Sequence, residues 1–149
     1  MDNLHRRPFT GTVEAPGFAV RVLDLPAQFY VPCDQPPGSI AGADTYTLWL
    51  APDLALQVGG APPEGFVSDM ADGLVVFELS APRAADVLAM GSTVALTPGQ
   101  CVRTLFGGVR VIMYLHGAAM RLHAERQFAA FLLQWFQTAA SALPQGQVP

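Results

Sequence analysis

The sequence contains no lysine; its eight basic residues are all arginine. Such a chain cannot form a Schiff base on a lysine amine or supply the lysine of a phosphate-binding loop. It has two cysteines, Cys33 and Cys101, too few and too far apart for a metal motif. Charged residues make up 13% of the chain and the net charge is −4. Beyond Arg6-Arg7 there is no basic cluster, so the phosphate-facing surface that nucleic-acid binding needs is missing. Pro, Gly, Asp or Arg interrupts every apolar run before it reaches the roughly 18 residues of a membrane helix. The N-terminal MDNLHRRPF has no apolar stretch after its arginines, unlike a signal peptide, and a cytoplasmic location is expected.

What the chain has in quantity is apolar side chain, 51% of its 149 residues. That length suits one domain or two very small ones. A chain so apolar and so poor in charge either buries a great deal or is covered by a partner.

The segment Leu74–Leu79 is apolar except for Glu78 and reads as a strand. Val75, Phe77 and Leu79 share one face of it, Val76 and Glu78 the other. Ser80 is placed to cap a following helix, with Pro82 in its first turn and Gly91 just past its end. Upstream, residues 1–17 are expected to form a flexible arm. Phe18–Leu25 alternates as a first strand, and Pro26–Ala43, rich in proline and glycine, reads as loop. Thr45–Leu50 and Leu54–Val58 form a strand pair, with Phe66–Asp69 as a short edge strand.

Downstream, Cys101–Phe106 and Val109–His116 are strands joined by the Gly107-Gly108 turn. Gly117-Ala118 turns the chain into Ala119–His123. This register sets Met113 against Leu122 and Leu115 against Met120 on a core face. It sets Tyr114 against Arg121 and Ile112 against His123 on a half-polar face, which meets either water or another protein. In Arg126–Ala142 the residues Phe128, Phe131, Leu132, Trp135, Phe136 and Ala139 recur on one helical face. Residues 143–149 form a tail. The pattern describes one α+β domain over 18–142, a mostly antiparallel sheet with two main helices on one face.

No catalytic constellation emerges. His116 and His123 flank a turn without a third converging ligand, so no metal site is expected. Cys101 lies near them in the strand order, but a thiol in an apolar strand has a raised pKa and is not activated. Asp53, Asp69 and Asp72 sit at turns, where aspartate is ordinary. The glycine pairs lack the strand–glycine–helix setting of a dinucleotide loop.

Four segments carry a resemblance. LWLAPDLAL (Leu48–Leu56) resembles the LWLGPDEWL segment of the gamma subunit of heterotetrameric sarcosine oxidase. FELSAPRAADVLAM, within Asp69–Met90, resembles that family's xRLSGPxAxDVLAKG stretch, with Ala81 in place of its glycine. QCVRT (Gln100–Thr104) looks like its GxCAQT strand, and Leu122–Ala140 like its closing LLVPRSFAxYLWxWLxxAA helix, with Gln127 in place of the serine. Where that family carries a helix before the LWL strand, Cys33–Ala43 is too short and too rich in Pro and Gly to form one. The resemblance implies the fold of the folate-binding domain of the glycine-cleavage T-protein. It also implies a non-catalytic accessory role beside larger flavoprotein subunits that oxidatively demethylate an N-methyl amino acid. Flavin, nicotinamide dinucleotide and tetrahydrofolate would then sit on those partners and none on this chain alone. The expected partner surface is Arg110, Ile112, Tyr114, Arg121 and His123. The alternative is a stand-alone folate or one-carbon binding domain of the aminomethyltransferase type, with Asp69, Asp72 and Arg103 as weak ligand candidates. Self-association of the isolated chain is a third outcome.

Overall fold

A computed structural model describes residues 11–15, 18–23, 25–65, 67–80 and 84–142. His5, Arg6, Arg7, Pro82 and the tail 143–149 lie outside the described residues. Among the described residues, eleven strands and two α-helices follow in order: β1 (Thr12–Ala15), β2 (Phe18–Leu23), β3 (Gln28–Val31), β4 (Ile40–Gly42), β5 (Tyr46–Ala51), β6 (Leu54–Val58), β7 (Ser68–Asp69), β8 (Leu74–Ser80), α1 (Ala84–Gly91), β9 (Cys101–Phe106), β10 (Val109–His116), β11 (Ala119–Glu125) and α2 (Ala129–Ala142). A 3-10 turn, Arg126–Phe128, leads into α2.

The strands form two antiparallel sheets. One has six strands in the order β1-β2-β8-β11-β10-β9, the other five in the order β4-β5-β6-β3-β7. The six-stranded sheet is the middle of three layers. Its Val75, Phe77, Leu79, Val111, Met113 and Leu122 pack against Val87 and Leu88 of α1 and Leu132 and Phe136 of α2. Its other face meets the five-stranded sheet, where Leu74, Ile112 and Tyr114 pack on Tyr46, Leu48, Leu56 and Val58. The alternation read in β8 holds, and because both faces are covered, Leu74 to Phe77 are all buried. The β10–β11 register is the expected one, with Met113 opposite Leu122 and Tyr114 opposite Arg121.

Several local expectations are corrected. Residues 12–15 are not part of a free arm: β1 pairs with β2, Val13 is buried, and the pair closes one side of the sheet. Pro26–Ala43 is not all loop, since β3 pairs with β6 and β4 with β5. Both strands are so short, and so tightly bounded by proline and glycine, that no alternation develops; their partners supply the hydrogen bonds that define them. Ser80 ends β8, its hydroxyl donating to the Ala19 carbonyl; the helix entry it was expected to cap, residues 81–83, lies outside the described residues. On α2, Leu132 and Phe136 are fully buried but Phe131 is half exposed. The helix lies on a sheet, so only the central strip of its apolar stripe is covered.

Gly91 is the last residue of α1, not a left-handed residue beyond it. Its role is close approach. A Cβ there would lie 2.7 Å from the Phe106 ring, which is fully buried and packed between Trp135 and Phe136. The Gly91 carbonyl also accepts from Gly107 N–H at 3.1 Å, tying α1 to the β9–β10 turn. Gly91→Ala is therefore expected to lower stability by about 1–3 kcal/mol through overpacking, despite alanine's better helix propensity. Urea denaturation of the two proteins checks this.

No described helix is long and apolar enough to cross a membrane.

Candidate functional site

The polar residues of the middle sheet's inner face gather where β8, β10 and β11 cross β5 and the start of β3. His123 and Gln28 are each 1% exposed. Tyr114 is as deeply buried, and burial drives its phenol pKa upward. Four side-chain contacts link these groups to Arg121. Gln28 Oε1 and His123 Nδ1 are 2.8 Å apart. His123 Nε2 and the Tyr114 hydroxyl are 2.7 Å apart. The Tyr114 and Tyr46 hydroxyls meet at 2.5 Å. Arg121 Nη1 donates to the Tyr46 hydroxyl at 3.0 Å.

The chemistry of the two ends sets every proton in between. Gln28 Oε1 accepts only, so His123 carries its proton on Nδ1 and Nε2 is an acceptor. Tyr114 must then donate to His123, and Tyr46 to Tyr114, while Tyr46 accepts from Arg121. The Gln28 amide N–H group ends the chain on the Leu25 and Leu74 carbonyls, 3.4 Å from each. All donors thus run one way, from a cation at the edge to backbone carbonyls in the interior.

Arg121 is held from its other side by Glu78, its cross-strand partner, with Nε 3.0 Å from Oε2. The second oxygen of Glu78 accepts from Arg21 at 2.7 Å. Burial works to raise the Glu78 pKa, but the hydrogen bonds and charges of Arg21 and Arg121 outweigh it and hold the carboxyl below its usual range. Burial, aided by the Arg121 charge, pushes His123 down to about 3, so its imidazole is neutral across the physiological range. Burial and Arg121 also lower His116, with Glu78 opposing them. The His116 ring lies 5.3 Å from that of Tyr46, centroid to centroid.

The sequence-derived candidates separate in space. Ile112, Tyr114 and His123 are buried inside this chain, so the expected partner face of the sheet is an internal one. The second sheet that covers it joins the expected β5–β6 pair to β3 and β4, which are too short to read. Arg110 remains exposed, and Arg121 is half-buried in the network. Of the folate candidates, Asp69 sits on edge strand β7 and accepts from Ala71 N–H, as turn aspartates do. Asp72 lends its carbonyl to Arg126 Nε. Arg103 lies toward the other edge of the second sheet, its guanidinium on the Leu50 carbonyl of β5. The three do not converge. Cys101 is buried with its thiol pushed up by burial and in contact with the Ser39 and Trp49 carbonyls, a structural thiol. No group of three metal-ligating side chains occurs among the described residues. Sequence reasoning missed Gln28, Tyr46, Glu78 and His116. Only Glu78 carried a signal, as the one carboxylate in an apolar strand.

No family model matches the chain, and no curated protein matches it. Among solved structures, a chain of the heterotetrameric sarcosine oxidase from Corynebacterium sp. U-96, in complex with pyrrole 2-carboxylate, aligns with a TM-score of 0.77. The two share one fold. The match covers 89% of this chain and 88% of that one at 19% sequence identity, so chains of nearly equal length correspond almost end to end. The expected α+β fold, mostly antiparallel with two helices on one face of a sheet, is the observed one.

Tyr114→Phe leaves the buried His123 Nε2 without a donor and is expected to cost about 1–3 kcal/mol in denaturant unfolding. The pH dependence has a definite sign. His123 is held at about 3 in the folded chain, against 6.5 ordinarily, so below pH 6.5 the unfolded chain binds the extra proton. Stability therefore falls as pH drops through that window, by about 1.4 kcal/mol per pH unit for this one group. His116 acts in the same direction, and Glu78 adds its own loss at more acid pH. Unfolding free energies between pH 6.5 and 5 should show this slope, and His123→Gln should remove one proton's worth of it whatever its absolute stability.

Proposed function

We propose that this chain is a non-catalytic accessory subunit of a sarcosine oxidase-type flavoenzyme complex in the cytoplasm, with an assembly role. The single observation that carries this proposal is the near end-to-end correspondence with one chain of a heterotetrameric oxidase. A chain folded as one member of a heterotetramer is suited to work beside others. The chemistry of the inner sheet face supports the same role: its histidine, tyrosines and carboxylate are spent on one another and on backbone carbonyls. In the parent complex, an N-methyl amino acid would be oxidatively demethylated on larger flavoprotein subunits, which would carry flavin, nicotinamide dinucleotide and tetrahydrofolate.

The groups a partner would cover lie on the helical layer. Met90 and Phe131 are 48% and 51% exposed, and with Trp135 and Thr138 they line a groove of about 440 Å³ between α1 and α2. Leu105 of β9 and Arg110 of β10 are exposed on the neighbouring sheet edge. Apolar side chains of this size clustered on a surface are typical of contact sites.

Purification of the tagged chain from its own cells tests the proposal. Co-purification of polypeptides with flavin absorbance is expected, and Phe131→Asp should weaken that association by at least about tenfold. Because Phe131 is exposed, the variant should unfold at the same denaturant concentration as the wild type. A colourless, partner-free chain would overturn the accessory role and leave stand-alone folate binding or self-association.

A further inference from the structure

Arg121, Tyr46 and His116 do more than end the buried network. They line a cleft of about 430 Å³ whose other walls come from Leu25, Pro26 and Val58. The size is that of a small-molecule site, and the composition is apolar wall with a few polar groups at one end.

Two guanidinium groups meet at that end. One carboxylate, Glu78, serves two guanidinium groups, Arg21 and Arg121. Arg21 reaches water, with its side chain 64% exposed; Arg121, at 15%, does not share that solvation. A half-buried cation that, among the described residues, shares its paired carboxylate with a second arginine retains attraction for an anion. Two of its five N–H donors are committed, to Glu78 and Tyr46, which leaves donors for a ligand. The His116 ring stands beside them, whereas the Tyr46 hydroxyl has given its proton to Tyr114 and keeps none for an anion. Asp44, exposed on the cleft wall, disfavours a multiply charged anion. Leu25, Pro26 and Val58 favour a short aliphatic body.

We propose that this cleft binds a small monocarboxylate, its carboxylate on Arg121 with His116 alongside and its hydrocarbon part against Leu25, Pro26 and Val58. This is independent of the accessory role, and either can fail alone. His116 couples the site to protons. Its imidazole is held neutral by burial and by Arg121, against Glu78; Tyr46 and Tyr114 pack on it, and Asp44 lines the same cleft. A carboxylate arriving beside it favours its protonated form, so binding tightens as pH falls below neutrality.

Histidine ring NMR of the full chain, titrated with butyrate, is the test, with butylammonium and sulfate at equal ionic strength as controls. His116→Gln assigns the resonance. The expected result is a saturable shift of the His116 signal, with a dissociation constant on the order of millimolar, and a rise in its titration midpoint. Ala43→Leu, a substitution in an exposed loop that lines the cleft, should weaken butyrate binding by about tenfold or more. The absence of a saturable shift up to about 0.1 M butyrate overturns the proposal. So do equal shifts with sulfate or butylammonium, or unchanged butyrate binding in folded Ala43→Leu. If Ala43→Leu does not fold, the wild-type titration with its two controls decides.

Discussion

Where a β-sheet is covered on both faces it cannot leave a polar side chain to water, and at the centre of this molecule that constraint governs the packing. The six-stranded sheet lies between two helices and a second sheet. Any hydroxyl, amide, imidazole or charge on its inner face must find a partner within the chain or forfeit its hydration uncompensated. Glu78, Arg121, Tyr114 and His123 meet that demand together with Tyr46 and Gln28 from the opposing sheet. Because the carbonyls of Leu25 and Leu74 close the chain at one end and the Arg121–Glu78 pair at the other, each proton has one place to go. The network thus locks the two sheets in one relative position, which apolar contact by itself leaves loosely specified.

The same arrangement bears on function. A histidine beside a tyrosine, an arginine and a glutamate has the composition of a catalytic centre. Here the imidazole is neutral, both its nitrogens are engaged, and it is shut away from solvent. A general base must reach a substrate proton, and His123 reaches only Gln28 and Tyr114. Of the two described histidines, His116, at the lip of a cleft, is the one that retains access. The helical layer differs again: its chemistry is apolar, and its exposed Met90 and Phe131 suit a protein surface better than a reaction.

The fold shared with a chain of a heterotetrameric oxidase at 19% identity illustrates how loosely sequence determines packing detail. What both chains must keep is the pattern of apolar faces and the order of strands, and many side chains satisfy that. The close fit of Gly91 against Phe106, and that of Gly42 against the Thr45 carbonyl, are places where geometry requires glycine.

Much of the second half was legible from residues alone. Local constraints act there: the two-residue turns at Gly107-Gly108 and Gly117-Ala118 set the hairpin registers, and a period of two or of 3.6 residues sets the faces of β8, β10 and α2. The first half was legible only in part: the strands corresponding to β2, β5, β6 and β7 were read, but β3 and β4 are too short for any period and exist by virtue of the strands they pair with. That omission hid the second sheet, and with it the fact that Tyr114 and His123 face inward. The sequence by itself determined which residues share a face; only the tertiary structure decided what lies across from that face. Pairing within a hairpin is fixed by a few neighbouring residues, whereas the partners of His123 come from Gln28, ninety-five positions away, and nothing local to either can specify the other.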